Sequence, residues 1–196
     1  VKKRKFIITA LYATAMPAFA KKNPEQNKAA GPTLLTISGA IGKGNRGALD
    51  PALDQMMHKQ NIQFDKAHVF NFATLTALPA VEIKPTLEYD AKVHTLRGPL
   101  LVDVIAAATD RVLPENTAVK LRAVDGYVIQ VPLADLRKYR FIVATHLDAQ
   151  PIALGGLGPL WAVYDADRFP EMMSRPLSAR FSLCPWALYY IALSAA

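Results

Sequence analysis

Apolar and polar residues alternate along this chain in short bursts, separated by glycine, proline and aspartate or asparagine. Leu34–Ser38 sets leucine and isoleucine against threonine and serine and stops at Gly39, the period-two pattern of a half-buried strand running into a turn. Residues 42–51 read as a loop. Asp50-Pro51 then offers a capping side chain followed by proline in the first turn, which predicts a short helix to about His58. Phe64 to Phe72 mixes aromatic and polar residues and allows a strand. Phe72–Leu78 predicts a short helix ended by Pro79, and Val81–Lys84 alternates as a strand.

Downstream the pattern sharpens. Val93–Leu96 is strand-like and leads into Arg97-Gly98-Pro99. Leu101, Val104, Ile105 and Ala108 recur at helical spacing. Val119–Val124 and Tyr127–Val131 alternate on either side of Asp125-Gly126, a strong signal for a two-residue hairpin turn. Leu133–Tyr139 predicts a short helix after Pro132. Phe141–Leu147 is an apolar strand, Asp148–Pro151 a turn, Leu154–Pro159 a glycine-rich loop and Leu160–Tyr164 a strand. Residues 165–185 carry three prolines and read as irregular, before a final strand over Trp186–Leu193. Many short strands with few short helices imply an α+β domain with mixed, mainly antiparallel sheets, not a doubly wound sheet.

The first residues follow another logic. Four basic residues within Val1–Lys5 precede an apolar run from Phe6 to Ala20, which ends in the small-x-small sequence Ala18-Phe19-Ala20. This is the layout of a secretory signal peptide cut after Ala20. The run is shorter than the roughly 20 residues a helix needs to span a bilayer. No cysteine follows Ala20 to carry a lipid. The expected organisation is therefore a signal peptide (1–20), a flexible lead-in (21–33) and one domain (34–196) working in the periplasm.

Charge changes the picture little. The formal net charge is +7, but residues 1–20 hold four of the 23 Lys and Arg residues and no acid, leaving +3. That is poor evidence for nucleic-acid binding, and no basic stripe or zinc-finger spacing appears. A single cysteine, Cys184, excludes an internal disulfide, so packing must supply stability.

Most catalytic signatures are missing. Gly155-Gly156-Leu157-Gly158 lacks the lysine and following helix of a phosphate loop. His58, His68, His94 and His146 show no paired-ligand spacing, no serine sits in a nucleophile elbow, and the carboxylates are scattered. Cys184, beside Pro185 among Phe181, Leu183 and Trp186, reads as a buried, inert thiol. What remains is a set of aromatics and arginines near turns: Tyr89, Arg97, Tyr127, Trp161, Arg168, Arg180 and Trp186. Rings and guanidinium groups at loop ends suit a flat, hydrogen-bonding heterocycle, and Asp125 or Glu88 offers acceptors for an amino-pyrimidine edge. Composition alone favours a competing reading, in which Trp161 and Trp186 are core residues and the arginines are solvated.

A series of segments shifts that balance: LTISGAI, LTALP, HTLRGPLLVDVI, VKLRAVDGYVIQVPLADL, VATHLDAQPI, GPLWAVYD and the terminal WALYYIAL, spread over about 34–193. In this order they resemble the molybdopterin-binding domain of the sulfite-oxidase superfamily, above all its short exported bacterial members. The resemblance implies an α+β fold with mixed sheets. In catalytic members a cysteine thiolate coordinates molybdenum from the loop before the segment matching HTLRGPLL. Here that loop is residues 86–92, TLEYDAK, without cysteine, and Cys184 lies about 90 residues further on, in another segment. Glu88 is a poor substitute for a soft ligand.

The resemblance therefore implies pterin binding more than catalysis. Short members look like non-enzymatic periplasmic proteins that bind a pterin, a reduced one being expected here, and signal to an inner-membrane partner controlling cyclic-di-GMP and biofilm formation. On that likeness Tyr89 replaces the tryptophan of a Thr-Pro-Trp segment, Arg97 matches the arginine of R-G-P-L-L and Trp161 that of G-P-L-W. With Gly98, Asp125, Tyr127, Arg168 and Arg180 they make up the expected pterin site, with no catalytic residue and no metal ligand. A molybdopterin-dependent oxidoreductase subunit is the alternative.

Overall fold

The structure, a computed structural model, describes residues 31–194. The expected signal peptide and most of the lead-in lie outside the described residues. Among the described residues no helix is long and apolar enough to cross a membrane.

The architecture is α+β, built on three sheets. The largest comprises β1 (Thr33–Gly39), β2 (Ala67–Asn71), β5 (Ala118–Ala123), β6 (Val128–Pro132) and β11 (Leu188–Ser194), in the order β2-β1-β11-β5-β6. Only β1 and β11 pair in parallel in this sheet; the other pairings are antiparallel. A four-stranded antiparallel sheet joins β3 (Ala80–Ile83), β4 (Leu96–Pro99), β8 (His146–Leu147) and β9 (Gln150–Pro151). The third sheet pairs β7 (Ile142–Ala144) with β10 (Trp161–Val163). Among the described residues five short helices connect them: α1 (Gln55–Lys59), α2 (Phe72–Thr76), α3 (Leu101–Ala108), α4 (Leu133–Lys138) and α5 (Pro170–Met173).

Alternation explains the large sheet. Leu35 and Ile37 of β1, with Val119 and Leu121 of β5, turn their side chains into the main core. Between them Thr36 and Ser38 face the other way, where Ser38 Oγ meets Tyr190 Oη at 2.5 Å. The predicted helical spacing holds in α3, which buries Leu101, Val104, Ile105 and Ala108. A reciprocal cap starts α2: Asn71 accepts from the Thr74 amide at 2.8 Å while Thr74 Oγ1 accepts from the Asn71 amide at 3.0 Å.

Several elements differ from expectation; the strand expected over Phe141–Leu147, for one, is split between β7 and β8 in different sheets. The strand expected over Val93–Leu96 begins instead at Leu96, so Arg97-Gly98-Pro99 is strand, not turn. Residues before it belong to a closed loop, with Thr86 bridging Val93 and the Leu87 amide donating to Lys92 O at 2.9 Å. Asp50 does not open α1. Its carboxylate accepts from the amides of Ala52 and Leu53, capping a turn, and the helix starts five residues later. The Asp125-Gly126 hairpin has a three-residue loop. Ala123 O accepts from the Gly126 amide at 3.0 Å, the Ala123 amide donates to Tyr127 O at 2.9 Å, and Gly126 sits at φ 92°. A left-handed residue after the turn lets the strands close with one extra residue. Finally, the stretch after Tyr164 contains α5 and two 3-10 turns, Ala166–Arg168 and Leu177–Ala179, rather than continuous irregular chain.

Candidate functional site

Three loops converge on one cleft. The first joins β3 to β4 and is held at its base, where the Thr86 amide donates to Asp167 Oδ2 at 2.7 Å and Leu87 is buried. Ala91 at φ 57° and its amide bond to Leu87 O close the loop, so Glu88, Tyr89 and Asp90 form its tip. Tyr89 is left 56% exposed. The second loop is the β5–β6 hairpin tip. Asp125 accepts from the Tyr127 amide at 2.8 Å, and Tyr127 Oη donates to Ser182 O at 2.7 Å, anchoring a ring that is 47% exposed. Residues 178–186 form the third wall. They bring buried Phe181 and Cys184, and Trp186, which is 37% exposed.

Tyr89, Tyr127 and Trp186, with the carboxylates of Glu88 and Asp125 and the buried Phe181 and Cys184, line a cavity of about 220 Å³. Desolvation, reinforced by the Glu88 carboxylate, pushes the Tyr89 phenol up to about 12. Burial pushes the Cys184 thiol well above its ordinary range, and Glu88 adds to the effect. Chemically the cleft offers flat apolar faces, acceptors and a protonated phenol; it offers no activated nucleophile.

Of the residues expected in the site, Tyr89, Asp125 and Tyr127 are brought together, with Glu88 beside them. Trp161 is not a wall. It is fully buried on β10 beneath the cleft, where its Nε1 donates to Cys184 O at 2.9 Å and its ring lies 6.2 Å from Phe181. Gly98 is buried where β4 crosses β7. A Cβ there would lie 1.9 Å from Val143 O, so glycine serves strand packing and is not open to a ligand. The arginines are elsewhere. Arg97 lines a separate cavity on the four-stranded sheet. Arg168 is exposed at the end of its 3-10 turn, outside the cleft. The Arg180 guanidinium is used internally, on Asp167 at 3.3 Å and on the carbonyls of Met173 and Arg175 at 3.1 and 3.2 Å.

Two cleft residues were left out of the expected site. Trp186 is not part of the last strand's core; only an isolated bridge to Trp161 holds its backbone, and Ala187 at φ 49° separates it from β11. Cys184, remote in sequence from the 86–92 loop, reaches the same cleft as Glu88 and Tyr89. The chain reversal after Tyr164 delivers it there, and proline-rich irregular sequence gives no sign of such a reversal.

A further polar hub fixes the Tyr89 loop from its other side. His94 Nδ1 meets Asp148 Oδ2 at 2.7 Å and Nε2 meets Asp90 Oδ2 at 3.0 Å. These hydrogen bonds raise the His94 imidazole above its usual value, and the same contacts hold both carboxylates below theirs. Among the described residues no group of three or more His, Cys, Asp or Glu is placed to hold a metal ion. Another cavity, of about 410 Å³ beside α3 and residues 109–113, gathers none of the residues above.

No protein-family model matches the chain, and no curated protein matches it in sequence. Among solved structures it is similar to the sulfane dehydrogenase SoxCD from Paracoccus pantotrophus, with a TM-score of 0.52 and 12% sequence identity. The match covers 83% of this chain and 38% of the solved chain. Likeness at this level shows the fold alone, and this chain spans well under half the length of its structural neighbour.

Proposed function

We propose that this chain is a non-enzymatic pterin-binding protein of the periplasm, and that it holds a reduced pterin between Tyr89, Tyr127 and Trp186. The observation that carries the reading is the meeting of three part-exposed aromatic rings and two carboxylates around one small cavity. Large aromatics left open to water in one cluster mark a binding surface more often than chance. A pterin presents two flat faces for the rings and an amino-pyrimidine edge whose N–H groups Glu88 and Asp125 can accept. The sequence resemblance to sulfite-oxidase-type molybdopterin-binding domains and the fold likeness to a sulfane dehydrogenase support the same ligand class. Presentation of the pterin to an inner-membrane signalling partner follows from that resemblance.

The arginine grip implied by the resemblance has no counterpart in the cleft, since Arg97, Arg168 and Arg180 all stand outside its lining. Affinity then rests on stacking and on carboxylates. With no cation among its lining residues, the cleft favours a pterin without the phosphate of molybdopterin.

The alternative, a molybdopterin-dependent oxidoreductase subunit, gains one point from the arrival of Cys184 in the cleft. The donor set does not fit it. The thiol is 4% exposed, burial and Glu88 favour its protonated form, and it has no cluster of further ligands. A thiol held in its protonated form is a poor metal ligand. Titrating the purified protein with dihydrobiopterin in a calorimeter, alongside elemental analysis of protein from its native host, tests both readings. Saturable heat with no metal is expected. Absence of heat defeats the pterin reading, and molybdenum approaching one atom per chain favours the alternative.

A further inference from the structure

We propose a second small-molecule site on the exposed face of the four-stranded sheet, recognising a zwitterion of the α-amino-acid type through Arg97, Glu82 and His146. Strand register creates it. Glu82 of β3 lies directly opposite Arg97 of β4, and Arg97 lies directly opposite His146 of β8. Directly paired residues share a sheet face, so the three side chains form one row across three strands. Leu96 and Gly98, the neighbours of Arg97, are buried, which leaves the row on the outer face. There it lines a cavity of about 380 Å³ with Thr95, Asp148 and Ala149.

The charges in this cavity are distinctive in what they leave unused. Opposite charges at paired positions ordinarily close on each other. Among the described residues neither the Arg97 guanidinium nor the Glu82 carboxylate forms an ion pair or a side-chain hydrogen bond. Asp148, by contrast, is fully engaged, with the Thr95 amide on one oxygen at 3.0 Å and His94 on the other at 2.7 Å. One free cation and one free anion therefore remain, side by side. His146 completes the row, with its Nδ1 2.9 Å from Thr145 Oγ1, which also reaches Arg97 O at 3.2 Å.

A guanidinium fork takes a carboxylate through two parallel hydrogen bonds, and a carboxylate takes an ammonium group. The ligand that uses both is a small molecule carrying a carboxylate and an ammonium group on one carbon. Simple anions satisfy only Arg97, and simple cations only Glu82.

The test is nuclear magnetic resonance of the full protein, following the Arg97 Nε and His146 ring signals. A pool of the twenty α-amino acids is added, then the same pool N-acetylated, then the same pool amidated. Saturable shifts with the free amino acids alone are expected. Arg97→Gln and Glu82→Gln should each weaken the response at least tenfold while leaving pterin titration unchanged, which separates this site from the Tyr89 cleft. No shift with the free pool overturns the proposal. Equal response to the N-acetylated pool would mean an anion site, and equal response to the amidated pool a cation site; either outcome also overturns it.

Discussion

The two tryptophans provide a sharp test, because they meet at one bridge and yet have opposite surroundings. Trp161 is fully buried, with its indole N–H on Cys184 O at 2.9 Å; Trp186 is 37% exposed in the cleft. Replacing Trp161 by Phe removes the donor and leaves the Cys184 carbonyl unpaired, at a cost of about 1–3 kcal/mol. The smaller ring adds roughly 1 kcal/mol of lost packing. With a urea slope of about 1–3 kcal/mol/M, the unfolding midpoint should fall by roughly 1 M. Trp186→Ala should do the reverse. The loss of one stacking face weakens pterin binding by about 1–3 kcal/mol, taking base–aromatic stacking as the analogue, or roughly 5- to 150-fold in Kd. Its unfolding free energy should change by only about 0.5 kcal/mol, as for a surface change. Urea unfolding followed by circular dichroism and calorimetric titration give both quantities for each variant. Normal stability with lost binding in Trp161→Phe, or parental affinity in Trp186→Ala, would refute the assignment of wall and foundation.

Three further outcomes follow from the geometry. Gly98→Ala places a methyl against the backbone of Val143 and Ala144, which cannot yield as a side chain would, and should lower stability by about 1–3 kcal/mol or prevent folding, as read by thermal unfolding. Cys184, buried and kept protonated, should resist iodoacetamide in the folded protein and react fully in guanidinium, as mass spectrometry would show. The His94 hub carries a definite sign of pH dependence. His94 is raised above 6.5, so its contribution is complete below that value and is lost as pH rises through the raised one. Asp90 and Asp148 are lowered below 3.8, so their contribution is present above that value and is lost as pH falls through the lowered ones. Scanning calorimetry should find the hub most stabilising between those limits. His94→Gln should remove the part of the decline in thermal midpoint seen from pH 6 to pH 9 that this residue causes; an unchanged profile would argue against the hub.

Period-two and helical patterning made the strands of the large sheet, α2 and α3 legible, because each buries one face against a continuous core. The loop at 86–93 was not legible. Val93 looks like the start of a strand, but Thr86 captures it as a bridge partner and leaves its side chain 63% exposed. The place of Arg97 was not legible. Once Leu96–Pro99 is strand rather than turn, its guanidinium is committed to the sheet's outer face. Tyr89, Asp125 and Tyr127 could be found because turn chemistry marks them, whereas Trp161 and Trp186 look alike in sequence and are separated only by which side of a bridge faces the core.

The charge around the cleft separates the ligand classes more firmly than its shape does. A thiolate needs nearby cations or N–H donors to fall into the physiological range. Cys184 instead has burial and the Glu88 carboxylate acting against ionisation. A phosphate needs the same kind of surroundings. The acidic side chains that an amino-pyrimidine edge would use are thus the ones that hold the thiol neutral and repel phosphate, so the proposed pterin reading and the molybdopterin alternative place opposite demands on Glu88. Glu88→Gln should weaken binding of a free pterin while making Cys184 easier to ionise. A variant that bound the pterin more tightly would show that this electrostatic reasoning has the wrong sign.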